Sequence, residues 1–113
     1  MKGTNLGEFE ELLLLIALIL KEDAYVLRIQ EELKNQINRK TSMGALHASL
    51  SRLEDKGFLV SEMTNPSRER GGRRKRVYQL TASGKTAVNL AREMRDQLWN
   101  QIPQFSLDFY AAF

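Results

Sequence analysis

At 113 residues, with 42% hydrophobic and 27% charged positions, the chain has the size and composition of one ordinary globular domain with a single core. It contains no cysteine, which excludes disulfides, thiolate metal sites and cysteine nucleophiles and makes a reducing cytoplasm the natural compartment. Its 17 basic and 14 acidic residues leave a net charge of only +3, so the placement of charge is more informative than its sum.

The first helix is expected over residues 8–21. Glu8, Glu10 and Glu11 crowd its first turn, where the helix dipole favours carboxylates, and Lys21 sits at its end. The apolar run Leu12 to Leu20 is nine residues long, well short of the roughly 20 that cross a bilayer, and its acidic flank is unlike the basic start of a signal peptide. No membrane association is expected. A run apolar on all sides must be buried on most faces, and in so small a domain part of it, Leu13 included, is expected to face a partner subunit. Lys21-Glu22-Asp23 makes the turn to a second helix over 24–38, whose stripe is Val26, Ile29, Leu33 and Ile37.

A third helix follows Thr41 and Ser42, both good N-caps, and stops at Gly57. Leu46, Leu50 and Leu53 form its inner stripe. The opposite face carries Gly44, Ala45, Ala48, Ser51, Arg52 and Asp55, with His47 at the border. Small side chains with one cation among them suit a helix that enters the major groove of duplex DNA, with Ser42, Gly44, Ala45, His47, Ser51 and Arg52 as the candidate contacts. An ordinary surface helix of low-bulk residues has the same pattern.

Phe58-Leu59-Val60 starts a strand, Asn65-Pro66 opens a loop, and Val77 to Thr81 alternates as the return strand. Between them lies Arg68-Glu69-Arg70-Gly71-Gly72-Arg73-Arg74-Lys75-Arg76, six cations and one anion, which leaves 11 basic and 13 acidic residues for the rest of the chain. The positive charge is thus gathered at one hairpin tip, where Arg68, Arg70, Arg73, Arg74, Lys75 and Arg76 could reach a phosphate backbone or a minor groove. A loop that serves only solubility is the plain alternative. Thr81 then caps a last helix over 82–102, with Ala87, Ala91, Met94, Leu98 and Ile102 in a stripe and Pro103 as its stop. Helix, helix, helix, hairpin, helix describes a mainly α fold with a small β-hairpin, a winged helix-turn-helix followed by a helix whose stripe packs against a second copy.

Two segments resemble the PadR family of bacterial transcriptional regulators. Ser42 to Leu59 is similar to the family's recognition helix, with a Gly ahead of spaced leucines and a helix-ending Gly. Gly72-Arg73 through Leu80-Thr81-Ala82-Ser83-Gly84 is similar to its wing strand and the turn into the last helix. The likeness runs to about residue 100, with two departures: the family's Tyr-Pro is His47-Ala48 here, and a Pro often found in the wing is Arg74. The short last helix resembles the small, single-helix subgroup.

The resemblance implies a division at residue 80, with 1–80 as the winged helix-turn-helix and 81–113 as a dimerisation helix and aromatic tail. It further implies a homodimer on an inverted-repeat operator in double-stranded DNA, a repressor's role, and release by a small aromatic effector in some members. Trp99 is a candidate effector contact by position, or else an interface anchor. The tail holds Phe105, Leu107, Phe109, Tyr110 and Phe113. Phe105 and Phe109 either cover the dimer seam or line an effector site.

No enzyme is expected, because the one histidine lies on the presumed DNA face and the carboxylates are scattered. No cofactor or metal is expected either. A protein-interaction module, or a non-specific nucleic-acid binder using the same basic wing, is the rival reading.

Overall fold

A computed structural model describes residues 6–64 and 74–103. In chain order these form helix α1 (Glu8–Leu20), a 3-10 turn (Lys21–Asp23), α2 (Val26–Ile37), α3 (Met43–Asp55), strands β1 (Leu59–Met63) and β2 (Arg76–Leu80), and α4 (Ala82–Trp99).

The core gathers around α1. Leu13, Leu14, Ala17 and Leu20 recur at helical spacing and turn inward, joined by Ile29 and Leu33 of α2, Leu46, Leu50 and Leu53 of α3, and Leu59, Tyr78 and Leu80 of the hairpin. Leu13 is fully buried, so it holds the subunit together and is not part of an outer face. The apolar surface that α1 does present consists of Leu15, Leu18 and Ile19. Ile37 also departs from the inward stripe of α2, being 47% exposed at the last turn. That helix ends without glycine: Asn38 takes the left-handed conformation at φ 53°, and the N–H groups of Asn38 and Arg39 close onto Lys34 and Leu33.

Of the two candidate caps for α3, Ser42 serves, its Oγ accepting from Ala45 N at 3.1 Å. Gly57, at φ 79°, then reverses the chain into the hairpin. The hairpin is antiparallel, pairing Leu59 with Leu80 and Met63 with Arg76. On its far side β2 meets the chain ahead of α2, where Tyr25 bridges Val77 and Tyr78 N donates to Ala24 O at 2.8 Å.

Thr81 caps α4, its Oγ1 accepting from Gly84 N at 3.0 Å and donating to Gly57 O at 2.6 Å. Gly84 has a steric reason to be glycine, since a Cβ there would lie 2.1 Å from the Phe58 carbonyl oxygen. This close approach lays the first turns of α4 on the core. Val88 joins the main cluster, and Ala87 and Ala91, expected on a face toward another copy, are buried within the subunit instead. The helix stops at Trp99, three residues before its expected end. The residue preceding a proline disfavours helical geometry, and the N–H groups of Gln101 and Ile102 turn back tightly onto Leu98 and Trp99. Ile102 therefore lies beyond the helix.

Candidate nucleic-acid interface

The outer face of α3 comprises Ser42, Met43, Gly44, Ala45, His47, Ala48, Ser51, Arg52 and Asp55, all exposed. This is the face read from the sequence, with Met43 added at its N-terminal edge. Around Gly44 there is open space, with no heavy atom within 4 Å of a built Cβ, so packing within the subunit does not require glycine there.

Arg52 is the one cation on this face, and it is held from below. Its Nη2 donates to Ser49 Oγ at 3.0 Å, and its Nε lies 3.9 Å from Glu10 Oε2. Glu10 is only 6% exposed and also accepts from Gly7 N at 2.8 Å and from Lys56 Nζ at 2.8 and 3.0 Å. Burial alone would raise the Glu10 carboxyl, but the Gly7 and Lys56 hydrogen bonds, with the nearby Arg52 charge, hold it below the ordinary 4.5. The sequence placed Glu10 as a helix-dipole residue and gave no sign that α1 and the end of α3 meet through it.

Of the six basic wing residues, Arg74, Lys75 and Arg76 are described here, whereas Arg68, Arg70 and Arg73 lie outside the described residues. Thr64 and Lys75 close the hairpin base: Thr64 N donates to Lys75 O at 2.7 Å, and Lys75 N donates to Thr64 Oγ1 at 3.0 Å. Arg74 is exposed, with Nε donating to Thr64 O at 3.1 Å and the rest of its guanidinium turned outward. Arg76 Nη1 donates to Ser61 Oγ at 2.9 Å, and that hydroxyl donates in turn to Glu54 Oε2 of α3 at 3.0 Å. The wing is thereby tied to α3. Lys75 takes a different course, its ammonium lying 3.8 Å from the centre of the Tyr25 ring.

The outer half of α4 carries a second exposed feature. Met94, Leu98 and Trp99 are 45%, 65% and 57% exposed, and Ile102 beyond the helix is 42% exposed. With Leu15 and Leu18 of α1, Trp99 borders a groove of about 590 Å³, whose polar wall includes Arg92 and Arg95. Glu11 pairs with Arg95 across the α1–α4 contact, and this hydrogen bond raises the guanidinium further above its usual value. Phe105 and Phe109 lie outside the described residues. Among the described residues no group of three or more His, Asp or Glu side chains is placed to hold a metal, and no helix is long and apolar enough to cross a membrane.

The sequence profile of the transcriptional regulator PadR-like family matches residues 14–90, from α1 through α3 and the hairpin to the middle of α4. The chain belongs to the PadR-like family. Among solved structures it is similar to a PadR-like transcription factor from Bacteroides fragilis, with a TM-score of 0.67 and 26% identity over 81% of this chain and 84% of that one. It is also similar to a PadR family transcription regulator from Clostridium difficile, with a TM-score of 0.62 and 25% identity over 90% and 98% of the two chains. The fold is shared by Bacillus subtilis PadR in complex with operator DNA, at a TM-score of 0.55 and 22% identity, covering 93% of this chain and 58% of that one. No curated protein sequence matches the chain. Mainly α architecture with a two-stranded wing is thus the winged helix-turn-helix of PadR-like regulators, as the sequence led one to expect.

Proposed function

We propose that this PadR-like protein is a sequence-specific DNA-binding repressor that acts as a homodimer on an inverted-repeat operator. The observation that carries this reading is the outer face of α3, where Gly44 stands in open space among small side chains and a single guanidinium, on a helix tied through Glu54 and Ser61 to a basic wing. A helix that must lie against base edges needs low bulk at its centre, and a cation held in place needs less ordering on binding. In this reading residues 1–80 recognise DNA, with Ser42, Gly44, Ala45, His47, Ser51 and Arg52 toward bases and the wing arginines toward phosphates. The operator-bound Bacillus subtilis protein of the same fold supports the assignment.

Residues 81–113 serve the dimer. Support comes from Met94, Leu98 and Trp99, large apolar side chains left exposed on one helix, with Trp99 beside Leu15 and Leu18. A small aromatic effector would enter at this groove and stack on Trp99, an indole offering the most contact area to a planar ring.

Selection of bound fragments from genomic DNA, followed by competition with unrelated duplex, tests the function. A selected fragment should resist at least about a thousandfold excess of unrelated DNA. Equal competition by any duplex would instead favour the non-specific module, and absence of salt-dependent DNA binding would favour a protein-interaction role.

A further inference from the structure

The hairpin base contains a cation set over an aromatic ring. Lys75 is only half-exposed, and its main chain is fixed on both sides, donating to Thr64 Oγ1 and accepting from Thr64 N. Its ammonium sits 3.8 Å from the Tyr25 ring centre, well inside the roughly 6 Å at which a cation is held by an aromatic face. Tyr25 is itself fixed. It is the N-cap residue of α2, it bridges Val77 of β2, and the preceding Ala24 carbonyl accepts from Tyr78 N. The ring and ammonium thus join the first residue of the helix-turn-helix to the root of the wing, two places 50 residues apart in the chain.

We propose that Lys75 is a positioning residue, clamped on Tyr25 to set the wing's angle to the helix-turn-helix, and not one of the phosphate-contacting cations. The proposal rests on the DNA-binding reading above. Its physical basis is the contrast between neighbours: Arg74 is exposed beside the same turn, whereas Lys75 is half-buried, with its charge over the half-buried Tyr25 ring. A residue of the first kind contributes to counterion release; one of the second kind changes affinity through geometry alone.

Salt dependence separates the two roles. Binding of a selected genomic fragment is measured between about 50 and 200 mM salt for the parent, Lys75→Met, Tyr25→Leu, the double variant and Arg74→Ala. Lys75→Met keeps the stem and removes the charge, and it should weaken binding about two- to fivefold, the worth of one cation–ring pair, with the salt slope unchanged. Arg74→Ala should lower the slope by up to about 0.9. The loss from Lys75→Met should not add to that from Tyr25→Leu in the double variant, and Lys75→Arg, which keeps a cation over the ring, should bind like the parent.

Lys75→Met alone tests the charge should Tyr25→Leu not fold. A slope lowered as in Arg74→Ala, or additive losses in the double variant, would overturn the positioning role while leaving DNA binding intact. A parent without salt-dependent binding would overturn the DNA-binding reading and this proposal with it. In the free protein, the ε-methylene protons of Lys75 should resonate upfield under the ring current, in the parent and Tyr25→Phe but not in Tyr25→Leu; unshifted protons in the parent refute the clamp without any DNA.

Discussion

Replacing Gly84 with alanine should destabilise the protein although alanine is the better helix former. The new Cβ would sit 2.1 Å from the Phe58 carbonyl oxygen and 3.0 Å from its carbon. Ordinary contact for such a pair is about 3.5 Å, so more than an ångström of overlap must be relieved between two backbones, neither of which can rotate away. That carbonyl also accepts from Thr81 N at 3.1 Å, so moving it disturbs the cap of α4. Lifting the helix would withdraw Ala87, Val88 and Ala91 from α1. Overpacking of this kind costs about 1–3 kcal/mol, and the backbone contact puts it at the upper end. The propensity of alanine returns up to about 1 kcal/mol, leaving a net loss of about 2 kcal/mol. With a urea dependence of about 1–3 kcal/mol per molar, the midpoint should fall by roughly 1 M, read by circular dichroism at fixed protein concentration because a dimer's stability varies with it. Gly44→Ala supplies the control. With open space around it, this variant should be as stable as the parent or up to about 1 kcal/mol more so, while binding DNA less well. A Gly84→Ala protein that unfolds with or after the parent would refute the docking of α4 on the hairpin.

Alanine at Arg73, Arg74 and Arg76 together should weaken binding to every DNA sequence and flatten the salt dependence by up to about 0.9 for each phosphate no longer neutralised; an unchanged slope would remove the wing from the interface. Arg52→Ala should alter preference between operator variants, by roughly 1–3 kcal/mol at the base it reads, as measured by competition binding. Leu98→Asp places a charge on the 65%-exposed apolar face of α4 and should give the monomer mass by light scattering, with weaker operator binding as the two half-sites uncouple. Glu10 titrates below 4.5 in the folded protein, so its contribution to stability is complete above that pH and fades as the pH falls through the lower folded value. Between about pH 5 and 3 the parent should therefore lose stability more steeply than Glu10→Gln, and parallel curves would contradict the Lys56 pairing.

The periodic elements were legible because one apolar stripe per helix and one alternation per strand suffice to mark them. Leu46, Leu50 and Leu53 pointed to the inner side of α3 and so to its outer side, and the bounds of each element agree to within three residues. The seam residues were harder to read. Leu13, Ala87 and Ala91 belong to apolar stripes, but a stripe does not say whether it meets another element of the same chain or a second copy. That distinction was decided by Gly84, whose lack of a side chain lets α4 descend onto the hairpin and bury its first turns. Only beyond Ala91 does the helix leave its apolar side chains exposed. Links across the sequence were not legible at all: nothing in the neighbourhood of Glu10 indicates Lys56, 46 positions away, and nothing near Tyr25 indicates Lys75.

Those hidden links change what the basic residues mean. The sequence alone assigns the wing cations one role, that of a positive tip on a nearly neutral body. In the fold, Arg39 is paired with Glu8, Lys56 with Glu10 and Arg95 with Glu11, while Lys75 rests on an aromatic ring. The three cations paired with carboxylates add little to counterion release, since their fields are largely neutralised before DNA arrives, whereas the neutral ring fixes where the Lys75 ammonium sits without cancelling its charge. Arg74, turned outward beside Thr64, retains the outward field, and Arg76 lies between the classes, hydrogen-bonded to a hydroxyl but unneutralised by it. The affinity of such a wing therefore depends less on how many cations it holds than on how many are placed to reach a phosphate. Arg76→Lys offers a way to see this. Keeping the charge but losing the planar donor to Ser61 should preserve the salt slope while loosening the wing's tie to Glu54, and so reduce discrimination between operator variants more than total affinity.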